Sequence, residues 1–581
     1  MKTHRKIHKI LFLASMILLT MGVSWTQTSE SPYDIVIKNG MVLDGTGNPF
    51  FITDIGIQGK KISHIGTIDA TQGKHVIDAT GRYVTPGFID MHSHSANSSD
   101  GKISHPEGRK AHNSVTQGIT TETVNPSFPI GEQVRKYRQG GHALNEVLSV
   151  SFGQIRERVV GRENRQPTQD ELNQMNALMQ QGFTEGARYL FVNLENGMPD
   201  RFAGTDELTE MAKKVKELGG YYDTHQRSEG ITPIWYNPSG QDHNSASHSS
   251  VVDGVDAVRE TVAIAENSGA KVVGHHVKVK GPNFWGASRA YTSLMDRARS
   301  RGVQVYFSIY GYTSYGNHPN VAVVPNWSLA DPKLDSRLLR WVENPYADAR
   351  ENFMRVLDDP AKKANLIVDI EHQFTKAGGP NHLLLVEYPD KQYTGKTLQQ
   401  IADMRNEDPI DALIWLQLNG ENRHGGGGFR ALDTSNIDVD HFITKDYVTY
   451  VTDGGNIVPQ EGYPHPRYYG IFPRFIRRYA LDRGVVELPH MIRGMSSLAA
   501  QIIGLKDRGL LREGFYADIN VFNPVTIRDY STYMKPHQFS TGFEQVLING
   551  TFVVKDSKKT GALPGEVLVG PHTKTSPKNK P

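Results

Sequence analysis

The 581-residue sequence predicts an α/β protein with a second, smaller β domain. Short apolar strands separated by Gly-containing turns occupy residues 33–83, and a matching set recurs at residues 517–554. Between these segments, helix and strand patterns alternate over about 400 residues. Such alternation is typical of a closed parallel barrel or of a doubly wound sheet, and the pattern alone leaves both open.

Two helix–strand units illustrate the alternation. Apolar residues at helical spacing follow Thr205, which we predict to be an N-cap, and Gly219 ends this helix before a strand at 221–225. A second helix, at 255–265, stops at Gly269 before a strand that starts at 271. We assign residues 33–84 and 505–570 to the β domain, 85–500 to the α/β unit and 571–581 to a flexible tail.

Composition excludes several classes of function. The net charge is only +2, and no basic run long enough for a nucleic-acid surface occurs outside the two ends. The chain has no cysteine, which excludes disulfides, a Cys nucleophile and thiolate metal ligands. Any metal must therefore be held by His and carboxylate side chains.

The N-terminus resembles a secretory signal. Four basic residues (Lys2, Arg5, Lys6 and Lys9) precede an apolar run at 10–23, and a polar stretch follows it. The alternative, an uncleaved membrane anchor, is disfavoured because the run is shorter than the roughly 20 residues that span a bilayer. We predict a signal peptide at 1–24 and an exported protein, periplasmic or secreted, without a stable membrane anchor.

The strongest local signal is an apolar strand that ends in two histidines, His92 and His94. Residues two apart in a strand face the same way, so both imidazoles can approach one metal ion. Functional groups gather at the carboxyl ends of strands in barrels and in open α/β sheets. A His-x-His pair is weak evidence by itself in a chain with 23 histidines.

Three further predicted strands end in side chains of the same kind. They place His225, the pair His275 and His276, and Asp453 at strand ends. Neutral imidazoles from separate strands that meet at one end of the barrel or sheet fit a catalytic zinc site. Asp453 could serve as a base. The alternative is that each His is a hydrogen-bonded, half-buried residue without a metal, and Asp453, taken singly, is more often a turn residue.

Taken together, the motifs resemble the amidohydrolase superfamily and, within it, the N-acyl-D-amino-acid deacylase (D-aminoacylase) branch. The resemblance covers nearly the whole chain after the signal. Its segments, in order, are Pro86-Gly87-Phe88-Ile89-Asp90-Met91-His92-Ser93-His94, Gly118-Ile119-Thr120-Thr121, His225-Gln226-Arg227-Ser228-Glu229, His276-Val277-Lys278, Thr452-Asp453-Gly454 and His465-Pro466-Arg467. The terminal β segments resemble the split β-sandwich that this family carries.

The resemblance implies a (β/α)8 TIM barrel with one or two zinc ions at its mouth. It implies that His92 and His94 end strand 1, His225 ends strand 5, and Asp453, the catalytic base, ends strand 8. For strand 6 we choose His276 over His275, because the family pattern of His-x-Lys followed by Gly fits His276, Lys278 and Gly281.

The sequence departs from the family pattern in two places. Ser127 stands where the best-known deacylases carry a metal-bridging Cys, and we predict that Glu195, at the end of strand 4, is a metal ligand that could bridge two ions. The alternative for Glu195 is a solvated loop carboxylate. The stretch 230–250 resembles an insertion at the barrel mouth, and its His243 and His248 are interpreted as lid or surface residues.

By resemblance, the substrate is a small amide, an N-acyl-D-amino acid, and zinc activates the water that cleaves it. Candidate substrate-binding residues are Lys278, Tyr310, Tyr312 and Arg467, while Arg227 and Glu229 are candidate supports. Two alternatives remain open: another amidohydrolase reaction (dipeptidase, cyclic amidase or deaminase), and a metal-free barrel with a binding role. The sequence does not determine the oligomeric state.

Overall fold

The computed structural model describes residues 31–96, 102–241, 252–316, 322–331, 333 and 347–573. The predicted signal peptide at 1–24, His243, His248 and the tail beyond 573 lie outside the described residues. Among the helices that are described, none is both long and apolar enough to cross a membrane.

Eight parallel strands form the barrel, each hydrogen-bonded to the next in chain order. In order, they are Phe88–Asp90, Ile119–Val124, Asn145–Ser151, Tyr189–Asn193, Tyr221–His225, Lys271–Gly274, Val305–Ile309 and Val448–Tyr450. An isolated parallel bridge between Ser93 and Gly454 joins the last strand to the first at the mouth. The predicted (β/α)8 fold is confirmed.

Helices surround the barrel because each buries an apolar stripe against the strands. They are His112–Val115, Ile130–Gly140, Phe152–Val159, Gln169–Glu185, Thr205–Glu217, Gly254–Ser268, Ser288–Ser300, Asn436–Ile443, Arg467–Arg474 with its continuation Phe475–Asp482, Leu488–Met495 and Ser497–Ile503. The barrel interior is filled by side chains from alternate strand positions: Ile89, Val147, Tyr189, Tyr221, Val273 and Val451.

One nine-stranded sheet combines the two ends of the chain, as predicted for the small β domain. The first end contributes Tyr33–Val42, Phe51–Gln58, Lys61–Gly66, Gly73–Asp78 and Tyr83–Pro86, and the second contributes Ile519–Phe522, Phe543–Ile548, Thr551–Lys555 and Lys558–Lys559. The strand Tyr83–Pro86 pairs with Ile519–Phe522 and runs directly into the first barrel strand. The β domain is therefore continuous with the barrel.

A separate unit is inserted between barrel strands 7 and 8, which the sequence analysis did not distinguish from the barrel. It contains a three-stranded sheet (Leu383–Glu387, Lys396–Thr397 and Gly428–Ala431) and the helices Ala349–Asp358, Pro360–Ala377, Leu398–Arg405 and Pro409–Asn419. Its buried residues, among them Phe353, Leu366 and Leu413, form their own apolar cluster. We call this part of the chain, residues 322–431, the inserted unit.

The predicted N-cap at Thr205 is wrong. The helix begins at Thr205 itself, and Gly204 occupies the cap position without a side-chain cap. The Thr205 hydroxyl instead donates to Glu260 Oε1 at 2.8 Å, on the neighbouring helix. A tertiary hydrogen bond has replaced the local one that this residue type favours. The predicted helix end at Gly219 and the strand at 221–225 are confirmed.

Asn549 links the β domain to the barrel. Its backbone amide donates to Asp518 Oδ1 (2.8 Å), and its side-chain amide donates to Asn145 Oδ1 (2.9 Å) and to the Pro564 carbonyl (2.8 Å). It is 3% exposed, so water cannot replace these partners without rearrangement.

We expect Asn549→Ala to lower the free energy of unfolding by about 2–4 kcal/mol, because it leaves buried hydrogen-bonding groups unpaired. The midpoint of urea unfolding measures this change. Asn173→Ala, on the exposed face of a barrel helix, is the control and should change stability by less than about 0.5 kcal/mol. Equal midpoints for the two variants would contradict the role given to Asn549.

Candidate metal centre and active site

Asp90 joins the ends of barrel strands 1 and 8. Its carboxylate accepts hydrogen bonds from the backbone amides of His92 (3.2 Å) and Thr452 (3.1 Å), and from the Thr452 hydroxyl. The Asp453 amide in turn donates to the His92 carbonyl at 3.1 Å. These bonds hold the first pair of candidate ligands beside the candidate base.

His92, His94 and Asp453 form one set of potential metal ligands. Asp453 Oδ1 lies 2.9 Å from His94 Nε2 and 3.5 Å from His92 Nε2. Burial opposes ionisation of Asp453, but Arg467 and the neighbouring imidazoles hold its pKa well below the usual value. Asp453 has a left-handed backbone (φ 48°), an uncommon conformation for a non-Gly residue and one that recurs at functional sites.

His225, Glu229 and His276 form a second set. Glu229 Oε2 lies 3.7 Å from His225 Nε2, and Glu229 Oε1 lies 3.2 Å from His276 Nδ1. Burial lowers the pKa of His276 well below its usual value, which favours the neutral imidazole that binds metals. His276 also has a positive φ of 38°. The two sets meet where the His92 and His276 rings lie 4.9 Å apart.

His275 faces a carboxylate inside the barrel. Its Nδ1 lies 2.9 Å from Asp223 Oδ2, and its ring stacks on His92 with centroids 3.9 Å apart. Asp223 Oδ2 is also 3.8 Å from His92 Nδ1. Burial lowers the pKa of His92, but Asp223 and Asp453 outweigh it and raise that pKa to about 9. Asp223 therefore orients the imidazoles of His275 and His92 from inside the barrel.

Glu195 is buried beside the second set. Its Oε2 lies 3.0 Å from His225 Nε2 and 3.1 Å from Lys280 Nζ, and its Oε1 accepts from the Ile234 amide at 3.0 Å. Burial opposes ionisation, but Lys280 and His225 lower the pKa of Glu195 to about 2. The alternative of a solvated carboxylate does not fit a residue that is 1% exposed. That Glu195 bridges two ions stays a prediction.

Three of the four candidate substrate-binding residues lie together. Arg467 Nη1 contacts Asp453 Oδ2 at 2.8 Å, and the Arg467 guanidinium lies 4.7 Å from the Tyr310 ring centroid. Lys278 Nζ lies 5.3 Å from the same centroid and 2.7 Å from Glu229 Oε1. Tyr312, in contrast, donates to Asp529 Oδ2 at 3.1 Å.

Two other residues named from the sequence lie apart from the ligand sets. Arg227 binds Glu260 through Nε (2.9 Å) and Nη2 (3.0 Å), as well as two backbone carbonyls. It therefore supports the loops behind the site. Ser127 is exposed, three residues beyond the end of barrel strand 2.

The chemistry of these side chains fits a metal. In each of three groups (His92, His275 and His276; His92, His94 and Asp453; His225, Glu229 and His276), the potential ligand atoms lie within 4.8 Å of one another. His92 Nε2 is buried and makes no hydrogen bond within the described part of the chain. Clustered imidazole and carboxylate groups are typical zinc ligands.

Three residues of this site were not assigned their roles from the sequence. Asp223 was detectable, because it alternates with Tyr221 and His225 on one face of a strand. Glu229 was named only as a support, and Lys280 was not named at all. Their positions depend on loop conformation after the strands, which periodicity does not describe.

Glu229→Gln should reduce the metal bound per chain more than Glu195→Gln does, because Glu229 belongs to a ligand set whereas Glu195 contacts one imidazole and a lysine. Plasma emission spectrometry of the purified variants measures the metal. Glu371→Gln, on an exposed face of the inserted unit, is the control and should match wild type. A larger loss in Glu195→Gln would instead assign the bridging role to Glu195.

Comparison with known proteins identifies the family. The model of the amidohydrolase family matches residues 75–333 and 451–554. A D-aminoacylase from Alcaligenes xylosoxydans xylosoxydans is 25% identical over 94% of this chain and 99% of its own. An N-acyl-D-glutamate deacylase from the same organism is 26% identical over 93% of this chain and 97% of its own.

Solved structures share the fold. An N-acyl-D-glutamate deacylase from Bordetella bronchiseptica, complexed with zinc and a phosphonate inhibitor, superposes with a TM-score of 0.69 at 24% identity and covers 92% of this chain and 99% of its own. A D-aminoacylase studied for its binuclear metal centre has a TM-score of 0.67 at 25% identity, with the same coverage. The resemblance inferred from the motifs is confirmed, and the chain belongs to the amidohydrolase family.

Proposed function

We propose that the protein is a zinc-dependent hydrolase that removes the acyl group from an N-acyl-D-amino acid. The relatives named D-aminoacylase and N-acyl-D-glutamate deacylase support the substrate class and the D configuration. The zinc-complexed deacylase supports the metal. The low net charge agrees with a small-molecule substrate rather than nucleic acid.

The observation that carries this proposal is the position of Asp453. It lies between His94 (2.9 Å) and Arg467 (2.8 Å) at the meeting point of the two ligand sets. Zinc held by these side chains would polarise the amide carbonyl and make water a stronger nucleophile near neutral pH. A carboxylate in this position can take the proton of the attacking water.

Asp453 can also complete the reaction. A carboxylate kept ionised by Arg467 and imidazoles is ready to accept a proton at Oδ1 or Oδ2. Once protonated, it can transfer that proton to the leaving amine, which departs as a neutral amino group. General base and general acid are thus the same side chain acting in sequence.

In this proposal, Arg467, Lys278 and Tyr310 hold the α-carboxylate of the substrate. Two cationic groups flank one aromatic ring. The Tyr310 hydroxyl is buried and makes no hydrogen bond within the described residues, so it can donate to a bound ligand. A fixed pair of cations would orient the scissile amide relative to Asp453. Tyr312, which binds Asp529, is not part of this proposed arrangement.

A hydrolysis screen of matched N-acyl-D- and N-acyl-L-amino acids, with metal analysis of the same preparation, tests the proposal. We expect turnover of the D series only, loss of turnover after chelation, and recovery with added zinc. Turnover of dipeptides, cyclic amides or aminated nucleobases in place of the D series would favour another amidohydrolase reaction. A protein without metal and without turnover would favour a binding role.

Asp453→Asn should lower kcat by a factor of about 10²–10⁴, because the amide cannot act as the base. Steady-state kinetics on the best D substrate measures the change. Asp403→Asn, on an exposed face of the inserted unit, is the matched control and should keep wild-type kinetics. A kcat for Asp453→Asn within threefold of wild type would rule out the assigned role.

We also propose that the protein is exported. The support is the basic segment followed by the apolar run at 10–23. Mass spectrometry of protein recovered from the periplasm or medium of an expressing bacterium should find a chain that lacks about the first 24 residues. An intact N-terminus on cytoplasmic protein would contradict export.

A further inference from the structure

A cavity of about 30 Å³ opens beside the second ligand set, between the barrel and the inserted unit. Glu195 and Lys280 line it on the barrel side, and Ile234 lines it from the segment after Glu229. Val323, Lys376 and Leu383 line it from the inserted unit. A space of this size holds about two water molecules or one small polar group.

The cavity contains a lysine that lacks a carboxylate partner. Lys376 Nζ donates to the Pro233 carbonyl at 3.0 Å, and it forms no ion pair with any described residue. Lys280 differs, because it contacts Glu195 (3.1 Å) and Glu229 (2.7 Å). Lys278 shares Glu229. Of these three lysines, Lys376 is therefore the one without a carboxylate at ion-pair distance among the described residues.

The remaining acidic group that lines the cavity, Asp433, balances the charge of Lys376 only in part. Burial raises the pKa of Asp433 to about 7, and one of its oxygens, Oδ1, makes no hydrogen bond within the described residues. Burial lowers the pKa of Lys376 to about 8, so it still carries a proton at neutral pH. Lys376 is partly buried, and a partly buried cation without a counterion is costly, so an anionic ligand group would relieve that cost.

The rest of the wall is apolar, with Ile231, Ala322 and Ala377 beside the residues already named. A carboxylate is a small polar group of the size that the cavity holds, and it can contact Lys376 while the aliphatic carbon beside it packs on the apolar wall. The cavity is separate from the cations that flank Tyr310: Arg467 contacts Asp453, whereas the cavity adjoins Glu195 and Lys280.

Resting on the proposed function, we infer that Lys376 selects substrates that carry a second carboxylate in addition to the α-carboxylate. This carboxylate belongs either to the side chain of the amino acid or to the far end of the acyl group. The ligand atoms at the strand ends serve cleavage, while Lys376 on the inserted unit sets the preference among substrates.

Two substrate pairs test the inference and distinguish the two sources. N-acetyl-D-glutamate against N-acetyl-D-glutamine tests the side chain, and N-succinyl-D-alanine against N-butanoyl-D-alanine tests the acyl group. We expect wild type to prefer the charged member of one pair by about tenfold or more in kcat/KM, mainly through KM. In Lys376→Met that ratio should fall to near one, and Lys376→Arg should restore much of it.

Lys363→Met, on an exposed face of the same helix, is the control and should keep the wild-type ratio. Each ratio is measured within one variant, so a partly unfolded preparation does not change it. No preference in either pair, or a preference that persists in Lys376→Met, would overturn the inference.

Failure of the proposed function has a different signature. If wild type hydrolyses none of the four compounds, the deacylase proposal fails, and titration calorimetry with the same compounds then decides the role of Lys376. Tighter binding of a charged member to wild type than to Lys376→Met would support the inference. Equal affinities would reject it.

Discussion

The active-site geometry depends on the closure of the barrel between strands 1 and 8. Only a short stretch of main-chain pairing joins these strands, through the Ser93–Gly454 bridge and the amide of Asp453. The buried carboxylate of Asp90 reinforces it by binding backbone amides from both strands. Because His92 and Asp453 lie two and three residues beyond the strand ends, this closure sets the distance between ligand and base.

The second constraint is that buried acidic and basic side chains must balance each other at the mouth of the barrel. Glu195 and Glu229 are each 1% exposed, yet Lys278 and Lys280, which lie within hydrogen-bonding distance, hold the pKa of both carboxyls below the usual value. Such pairs are costly to desolvate and are weak evidence for stability. These ion pairs instead fix positions. The lysines hold the carboxylates against His225 and His276, which keeps the imidazoles oriented toward a common centre.

Much of this site could be predicted because it follows backbone periodicity. His92, His94, His225 and His276 lie at, or a few residues beyond, the ends of strands whose apolar runs are visible in the sequence, and parallel strands place their carboxyl ends together. The inserted unit could not be separated from the barrel, because its helices and strands have the same local patterns. The role of Lys280 could not be predicted, because its partners, Glu195 and Glu229, are 85 and 51 positions away in the sequence. Thr205 shows the same limit, since a distant Glu260 displaced its local hydrogen bond.

The candidate ligands and base lie at strand ends, whereas the proposed selectivity residue Lys376 lies on the inserted unit. This difference has a physical reason. Strand ends are held by the barrel ladder, so they suit ligands and a base that must keep fixed distances. The segment after Glu229 and the inserted unit contact each other: Ser239 binds Asp369 through its amide (2.9 Å) and hydroxyl (2.6 Å), and within the inserted unit Trp327 donates to the same carboxylate at 2.8 Å. The cavity lined by Lys376 lies between these segments and the barrel. Its shape and charge can therefore change with the inserted residues while the ligand sets at the strand ends stay in place.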